Sequence, residues 1–311
     1  MTYRLAAIIA LATTLCCPPA ALAVQISFDY RFDSGFFTQS RRDLLQQAGN
    51  AIGSRLSDTL LPIAPSGSNT YEARLYDPSK ANTTTGIFDL NIATDTLVVF
   101  AAAYDQGGST LGTGGPGWIG MASGDGGFLN TVKARGQAGA LGTPALRTDF
   151  GPWGGSVSFN SANSNWYFDP DPNTSESFSG DDFYSVALHE IGHVLGYGTA
   201  DSWDNLASGG TSGGSFSGPQ AEAVFGGPVP LEPGTSPAHW AAGTASLVAG
   251  LPQEAAMDPT LTVGSRKLFT DLDYAGLQDI GWQVSSVPLP APLLLLASGL
   301  TLLLGMCRKR S

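Results

Sequence analysis

Histidine and cysteine, which supply most transition-metal ligands in proteins, are scarce in this chain of 311 residues. It contains three histidines and three cysteines, and Cys16, Cys17 and Cys307 all lie near the two ends. The body of the chain therefore has neither a disulfide bond nor a cysteine ligand, and it must be stabilised by its core, by metals or by both. Few places for a transition metal remain.

Positive charge is also scarce. Lys and Arg number 15 against 26 Asp and Glu, which gives a formal net charge of -11. Such a surface repels a phosphate backbone, so we do not expect a nucleic-acid partner. Only 13% of the residues are charged, while glycine numbers 40 and proline 20, a composition that favours a secreted protein with many surface loops. The hydrophobic content of 42% is ample for a packed core and excludes wholesale disorder.

The first 23 residues have the pattern of a secretory signal peptide. Arg4 precedes a largely apolar run over residues 5–15, and Ala21-Leu22-Ala23 supplies small residues for a cleavage site. This order predicts export and the removal of residues 1–23. A buried N-terminal helix is the alternative.

Residues 286–311 form a second segment outside the predicted fold. Val287-Pro288-Leu289-Pro290-Ala291 is followed by an apolar run over 292–306 and then by Arg308-Lys309-Arg310. The run is at the short limit for a membrane span, and its basic end would stay in the cytoplasm. This tail resembles the PEP-CTERM sorting signals of exported proteins in Gram-negative bacteria, in the variant that begins Val-Pro-Leu-Pro-Ala.

The resemblance of the tail implies an exosortase-type sorting enzyme as a partner. It also implies transient anchoring in the inner membrane through the tail, followed by delivery to the cell surface, the extracellular matrix or the exterior. A plain membrane anchor is the alternative. Because the two ends hold four basic residues and no acidic ones, residues 24–285 keep 11 basic and 26 acidic residues, a net charge of -15.

Hydrophobic periodicity in the body predicts one α+β domain without a repeat. Alternating or continuous apolar residues predict strands, and apolar residues at near four-residue spacing predict helices. We expect strands over 24–28, 96–104 and 155–160, a hairpin partner over 166–168, and helices over 40–56, 183–195 and 270–280. Two glycine-rich stretches predict a surface loop over 107–127 and an insertion over 207–220.

The helix over residues 183–195 carries the sequence His189-Glu190-Ile191-Gly192-His193. Residues four apart lie on one face of a helix, so the two imidazoles converge as a tetrahedral metal site requires. Glu190 lies beside them, where a carboxylate can accept a proton from a metal-bound water. The alternative is a pair of buried polar histidines without a metal, but the spacing around a glutamate favours the metal.

A catalytic zinc site needs a third protein ligand. Gly196 follows His193 by three residues, which resembles the metzincin zinc-protease pattern His-Glu-x-x-His-x-x-Gly-x-x-His, but Thr199 stands where the third histidine is expected. His239 is the one remaining histidine, 46 residues beyond His193. Its place after a Gly/Ser-rich insertion resembles the leishmanolysin-like branch of the metzincins.

Two later segments are also similar to this clan. Residues 254–259 (EAAMDP) look like the methionine turn beneath the zinc, and residues 267–282 are similar to the C-terminal helix of matrixin-type domains. The resemblance implies a metzincin-like zincin domain over 24–285 with a twisted mixed sheet, a central active-site helix and a small C-terminal lobe that ends in a helix. The two lobes are expected over about 24–197 and 198–285.

The same resemblance assigns roles to five residues. It implies that one zinc ion is bound by His189, His193 and His239, that Glu190 is the general base, and that Met257 is the hydrophobic floor of the site. Calcium is a second candidate cofactor because the chain has many aspartates, but no sequence pattern assigns a calcium site.

Some of these roles have alternatives. Asp201 or Glu222 could supply the third ligand in place of His239, and residues 198–201 resemble the Gly-Thr-x-Asp of aspzincins, although they follow the helix directly. Met257 could be ordinary core filler. Either Tyr274 or Tyr197 could stabilise an oxyanion, and the spacing selects neither.

The resemblance as a whole implies a secreted or surface-sorted zinc endopeptidase. It would hydrolyse protein or peptide substrates by attack of a zinc-bound water, with Glu190 as the general base. In metzincins the substrate binds as an added antiparallel strand, and residues 155–160 are the expected sheet edge. The alternative is a catalytically inactive matrix or adhesion protein with a protease-like fold, which Thr199, the sorting tail and the acidic surface favour. Whether residues 24–90 include a removable propeptide stays open.

Overall fold

The computed structural model describes residues 23–136 and 150–285. The predicted sorting tail lies outside these residues, as does all but the last residue of the predicted signal peptide. Within the described part, no helix has both the length and the apolar composition of a membrane span.

Six helices and fourteen strands occur in the described residues. The helices are α1 (Gln39–Gly53), α2 (Gly126–Ala134), α3 (Phe183–Val194), α4 (Asp201–Asp204), α5 (Pro219–Phe225) and α6 (Asp271–Asp279). The strands are β1 (Gln25–Asp29), β2 (Thr70–Tyr76), β3 (Thr84–Phe88), β4 (Thr96–Tyr104), β5 (Gly112–Pro116), β6 (Trp118–Ser123), β7 (Gly154–Asn160), β8 (Trp166–Tyr167), β9 (Asp181–Asp182), β10 (Ala207–Ser208), β11 (Gly214–Phe216), β12 (Val229–Leu231), β13 (Ala245–Val248) and β14 (Leu251–Glu254). The α+β class is confirmed, and so are the three predicted helices (α1, α3 and α6).

The central sheet has four strands in the order β1-β4-β7-β5. β1, β4 and β7 are parallel and β5 is antiparallel to β7, so the sheet is mixed. β4 contributes side chains to the cores on both faces of the sheet, because successive side chains of a strand point to opposite sides. Leu97, Val99 and Ala101 enter the main core, whereas Phe100 enters a second core on the other face.

Helices and a second sheet cover opposite faces of the central sheet. On one face α1 and α3 pack in the main core, and α1 buries the apolar side predicted for it, namely Leu44, Leu45, Ala48 and Ile52. On the other face the sheet β3-β2-β6 and α2 enclose the smaller core around Trp153. The main core runs from Val24 to Trp282 and contains residues of both predicted lobes.

The prediction of a surface loop over residues 107–127 is wrong, because this stretch contains β5 and β6. The glycines of β5 allow the strand to lie directly against α3. A Cβ on Gly112 would lie 2.8 Å from Oε1 of Glu190, and one on Gly114 would lie 2.2 Å from the Glu190 carbonyl oxygen. Glycine is therefore needed here because the strand packs closely against the helix. Composition alone does not distinguish such a strand from a flexible loop.

The central sheet has two edge strands, β1 and β5, and β5 is the one that lies beside α3. Residues 155–160 form a strand as predicted, but β7 pairs with β4 on one side and with β5 on the other, so the prediction that they form the edge is wrong. The predicted hairpin partner over 166–168 is also wrong, since Trp166–Tyr167 pairs in parallel with Asp181–Asp182. The rings of Trp166 and Phe168 pack against Phe183 at the start of α3, at centroid distances of 5.6 and 5.1 Å. This packing holds the segment beside Asp181–Asp182, which directly precede Phe183.

α3 begins and ends at the signals that the sequence contains. Asp182 caps its first turn, where Oδ2 accepts hydrogen bonds from the backbone nitrogen and the hydroxyl of Ser185, at 3.1 and 2.6 Å. Gly196 follows its last turn with a φ of 110°, which favours glycine. Every residue of α3 except His189 is buried. The helix therefore crosses the interior and presents its functional residues beside β5.

Replacing Gly114 with alanine should destabilise the protein by about 1–3 kcal/mol, because the new methyl group would overlap the carbonyl oxygen of Glu190 and push β5 away from α3. The matched control is Gly115→Ala in the same strand, where a Cβ meets no atom within 4 Å. That control should change the free energy of unfolding, measured by urea titration, by less than about 0.5 kcal/mol. Equal effects of the two substitutions would contradict the tight packing of β5 on α3.

Candidate metal centre

The three histidines of the chain lie together at one point. His189 and His193 are four residues apart on α3, and His239 approaches them from the segment that follows β12. Their Nε2 atoms form a nearly equilateral triangle: 3.1 Å between His189 and His193, 3.0 Å between His193 and His239, and 3.1 Å between His189 and His239. No other group of metal-binding side chains comes this close together in the described residues.

The hydrogen bonds on the far side of each ring fix which nitrogen carries the proton. Nδ1 of His189 lies 2.8 Å from the carbonyl oxygen of Ala256, and Nδ1 of His193 lies 2.8 Å from that of Tyr197. Nδ1 of His239 lies 2.7 Å from Oε1 of Glu232. Because carbonyl and carboxylate oxygens only accept, each Nδ1 is the donor.

Three lone pairs therefore face one another across the triangle, since a neutral imidazole protonated at Nδ1 has a bare Nε2. At 3.0–3.1 Å these lone pairs repel each other unless a cation lies between them. The triangle is small enough for one ion to contact all three nitrogens at the Zn–N distance of about 2.0–2.1 Å. The three histidines thus fit a metal ion, and they could bind one.

Burial keeps the ligands on α3 neutral. It lowers the pKa of His189 well below its ordinary value and the pKa of His193 to about 4, because a charged imidazole loses its hydration there and meets the other histidines. Both rings are consequently neutral at neutral pH, with one proton on Nδ1 and none on Nε2. They can bind a cation without first releasing a proton.

Glu190 lies on the same helix, between the histidines and β5. It is only 5% exposed, and burial raises the pKa of its carboxyl to about 8. Its carboxylate is close enough to β5 that the strand carries glycine at position 112. Positive charge at the triad would favour the ionised carboxylate and lower this pKa again.

A cleft of about 1090 Å³ opens over the triad. One wall is β5 with the loop before it, the floor is α3, and the opposite wall is the segment over residues 256–261. The three histidines and Glu190 all line it. The three imidazoles and the carboxyl group are therefore open to one shared space.

Met257, the residue expected to form the hydrophobic floor of the site, packs against α3. It is fully buried, and its sulfur is so close to α3 that a Cβ on Gly192 would lie 2.4 Å from it. Its backbone carbonyl accepts a hydrogen bond from the nitrogen of Trp240, next to His239. The methionine thus packs against α3 at Gly192, the residue before His193, and its backbone is bonded to the residue after His239.

The other residues that the sequence analysis considered are not part of the triad. Thr199 donates its hydroxyl to the carbonyl of His193, at 2.9 Å. The hydroxyl groups of Tyr197 and Tyr274 donate to the backbone carbonyls of Asp273 and Ala51, so neither is directed at the triad. Asp201 in α4 and Glu222 in α5 are not members of the group of close metal-binding side chains.

Sequence reasoning missed the residue that joins the parts of the site. Asp273 is fully buried, and burial raises the pKa of its carboxyl while the hydrogen bonds that it accepts oppose the rise. It accepts five bonds, from the nitrogen and hydroxyl of Thr270, the nitrogens of Ala256 and Met257, and the indole of Trp240. Only the two bonds from Thr270, which belong to the capping box of α6, can be predicted from the sequence.

Through Asp273 the C-terminal part holds the partners of His189 and His193 and the residue next to His239. Ala256, bound to its carboxylate, supplies the carbonyl for His189, and Trp240, bound to the other oxygen, is the neighbour of His239. The backbone carbonyl of Asp273 accepts a hydrogen bond from the hydroxyl of Tyr197, and the carbonyl of Tyr197 accepts one from Nδ1 of His193. Glu232 was also missed, and no sequence signal marks it.

Comparison with known proteins adds no assignment to this geometry. No protein-family model matches the chain, and no curated protein or solved structure does so either.

The full chain should bind one equivalent of zinc, and His239→Ala should abolish this stoichiometric binding because two nitrogens remain. Glu222→Gln and Asp201→Asn, which remove the alternative ligands, should leave the metal content unchanged. Metal per chain is measured by elemental analysis after dialysis. Full zinc content in His239→Ala, or loss in either control, would assign the third ligand to another residue.

Asp273→Asn should lower the free energy of unfolding by about 2–4 kcal/mol, because an amide nitrogen cannot accept the hydrogen bonds that one carboxylate oxygen now accepts. The matched control is Asp271→Asn, two residues away in the first turn of the same helix and exposed. It should cost less than about 1 kcal/mol. Urea titration compares them, and similar losses would show that Asp273 is not the joining residue.

Proposed function

We propose that this protein is a zinc-dependent endopeptidase. The observation that carries the proposal is the convergence of three unprotonated Nε2 atoms beside the carboxylate of Glu190, on the floor of a cleft with a free strand edge. Three neutral imidazoles with an open fourth position are the ligand set of catalytic zinc, whereas structural zinc sites are closed by a fourth protein ligand. We infer from the ligand set that the metal is zinc.

The chemistry divides between the metal and Glu190. Zinc, when bound, lowers the pKa of a water molecule to about 7 and polarises the substrate carbonyl. Glu190 accepts the proton of the attacking water and returns it to the leaving amine. Its pKa, about 8 from burial and lowered by nearby positive charge, lies where one carboxyl group can serve in both steps.

The substrate backbone has a place along β5. This strand pairs with β7 on one side only, so its other edge offers unpaired backbone groups to the cleft. An extended peptide can add there as a further strand. Gly112, Gly114 and Gly115 present no side chain against it, so recognition through β5 depends on the backbone and reads little of the sequence. We therefore assign to β5 the binding role expected of residues 155–160.

The architecture supports the proposed likeness to metzincins. A mixed sheet, a helix with two histidines, a third histidine after an insertion, a buried methionine beneath the site and a C-terminal helix occur in the expected order. The insertion between Gly196 and His239 contains the small sheet β10-β11-β12 and α5, which favours the leishmanolysin-like branch.

The alternative, an inactive matrix or adhesion protein, rested on the sorting tail, on the acidic surface and on Thr199 as a sign of a lost ligand. His239 provides a third nitrogen and Thr199 has a structural hydrogen bond, so we favour the enzyme. Export, exosortase-type sorting and delivery to the cell surface or beyond form part of the same proposal. They rest on the two terminal segments.

Glu190→Gln in the full chain should lower peptide hydrolysis by a factor of about 100 to 10,000, because the amide cannot accept the proton of water. Zinc content should stay unchanged, since the three histidines are intact, and this is the internal control. Activity is followed with a fluorogenic peptide mixture, with and without a chelator. Hydrolysis that survives either treatment would refute the proposal, and a zinc-loaded wild type that cleaves nothing would favour the matrix protein.

A further inference from the structure

The third histidine differs from the other two in how it is held. His189 and His193 are fixed by α3, whereas His239 lies on an irregular segment after β12. This segment is tied to its neighbours by backbone contacts: an isolated bridge joins Leu231 to Trp240, and the nitrogen of Glu232 donates to the carbonyl of His239 at 3.2 Å. These contacts fix the backbone but do not choose the orientation of the imidazole.

The carboxylate of Glu232 makes that choice. One oxygen, Oε1, accepts from the backbone nitrogen of Ala238 at 3.0 Å and from Nδ1 of His239 at 2.7 Å. The first bond fixes the carboxylate to the segment that carries the histidine, and the second fixes the ring. Both side chains are partly buried, with 26% of Glu232 and 22% of His239 exposed, so water competes only in part.

Glu232 is also the only charged partner in the set. The corresponding acceptors for His189 and His193 are neutral backbone carbonyls. A carboxylate that accepts from Nδ1 makes the opposite nitrogen a stronger donor to a metal. Together with Glu190 it also places two carboxylates beside the triad, which is the charge that a dication requires for local neutrality.

We propose that Glu232 is a positioning residue that orients His239 and sets the affinity of the triad for its metal. The proposal rests on the metal site of the proposed function but not on peptide hydrolysis. It predicts that the site keeps its three ligands yet binds metal weakly when Glu232 is changed.

The test compares variants of the full chain in zinc affinity, measured by competition with a chromophoric chelator. Glu232→Ala removes both the acceptor and the charge, and it should weaken zinc binding about 100-fold. Glu232→Gln keeps an acceptor for Nδ1 but removes the charge, and about a 10-fold loss is expected. The visible spectrum of bound cobalt(II), which reports ligand geometry, should change in the alanine variant and stay close to wild type in the glutamine variant.

The matched control is Glu176→Gln. It removes the same charge from an exposed position outside the cleft, where the carboxylate of Glu176 accepts hydrogen bonds from the hydroxyl groups of Tyr167 and Thr174. Its zinc affinity should equal that of wild type. The free energy of unfolding of each metal-free variant shows that the fold is intact, and if the alanine variant does not fold, the glutamine variant decides.

Two results would overturn the inference: zinc affinity unchanged within about twofold in both Glu232 variants, or an equal loss in Glu176→Gln. The outcome is independent of catalysis. Weakened zinc binding in a chain that hydrolyses no peptide would uphold the role of Glu232 and refute the endopeptidase. Unchanged zinc affinity in Glu232 variants of an active peptidase would refute the role of Glu232 and leave the proposed endopeptidase standing.

Discussion

The mutual repulsion of three imidazole lone pairs is the constraint on which the rest of the site depends. Three bare Nε2 atoms come within 3.1 Å of one another only if each ring is held from behind by an acceptor. The three acceptors come from separate parts of the chain: the carbonyl before Met257, the carbonyl after the turn that ends α3, and the carboxylate of Glu232. These hydrogen bonds thus hold the three rings in an arrangement that only a cation completes.

The C-terminal part of the molecule can be understood as the support of these acceptors. Asp273 is a charged group in a fully buried position, which is costly unless all of its lone pairs are used. Its five hydrogen bonds meet that condition, and they join the start of α6, the methionine segment and the indole beside His239. A single carboxylate therefore links the closing helix of the fold to the geometry of the triad.

The cleft depends on a different constraint, the closeness of a strand to a helix. β5 reaches the backbone of α3 because its glycines leave no Cβ between them. The same contact buries Glu190, raises its pKa and leaves the far edge of β5 unpaired. The error over residues 107–127 has this origin. Glycine-rich sequence is typical of loops, and the strand is selected only by its partners, β7 and α3, which are distant in sequence.

The sequence by itself determined the features that depend on local geometry. The helical repeat brings His189 and His193 together, Asp182 and Gly196 delimit α3, and Thr270 with Asp273 begins α6, because neighbours within one helix interact wherever it lies. Only the tertiary structure decided which group accepts the hydrogen bond from each histidine, that β5 and not residues 155–160 forms the sheet edge beside α3, and that Glu232 contacts His239. These contacts join segments whose spacing along the chain has no fixed relation to their distance in space, so packing of the common core alone brings them together.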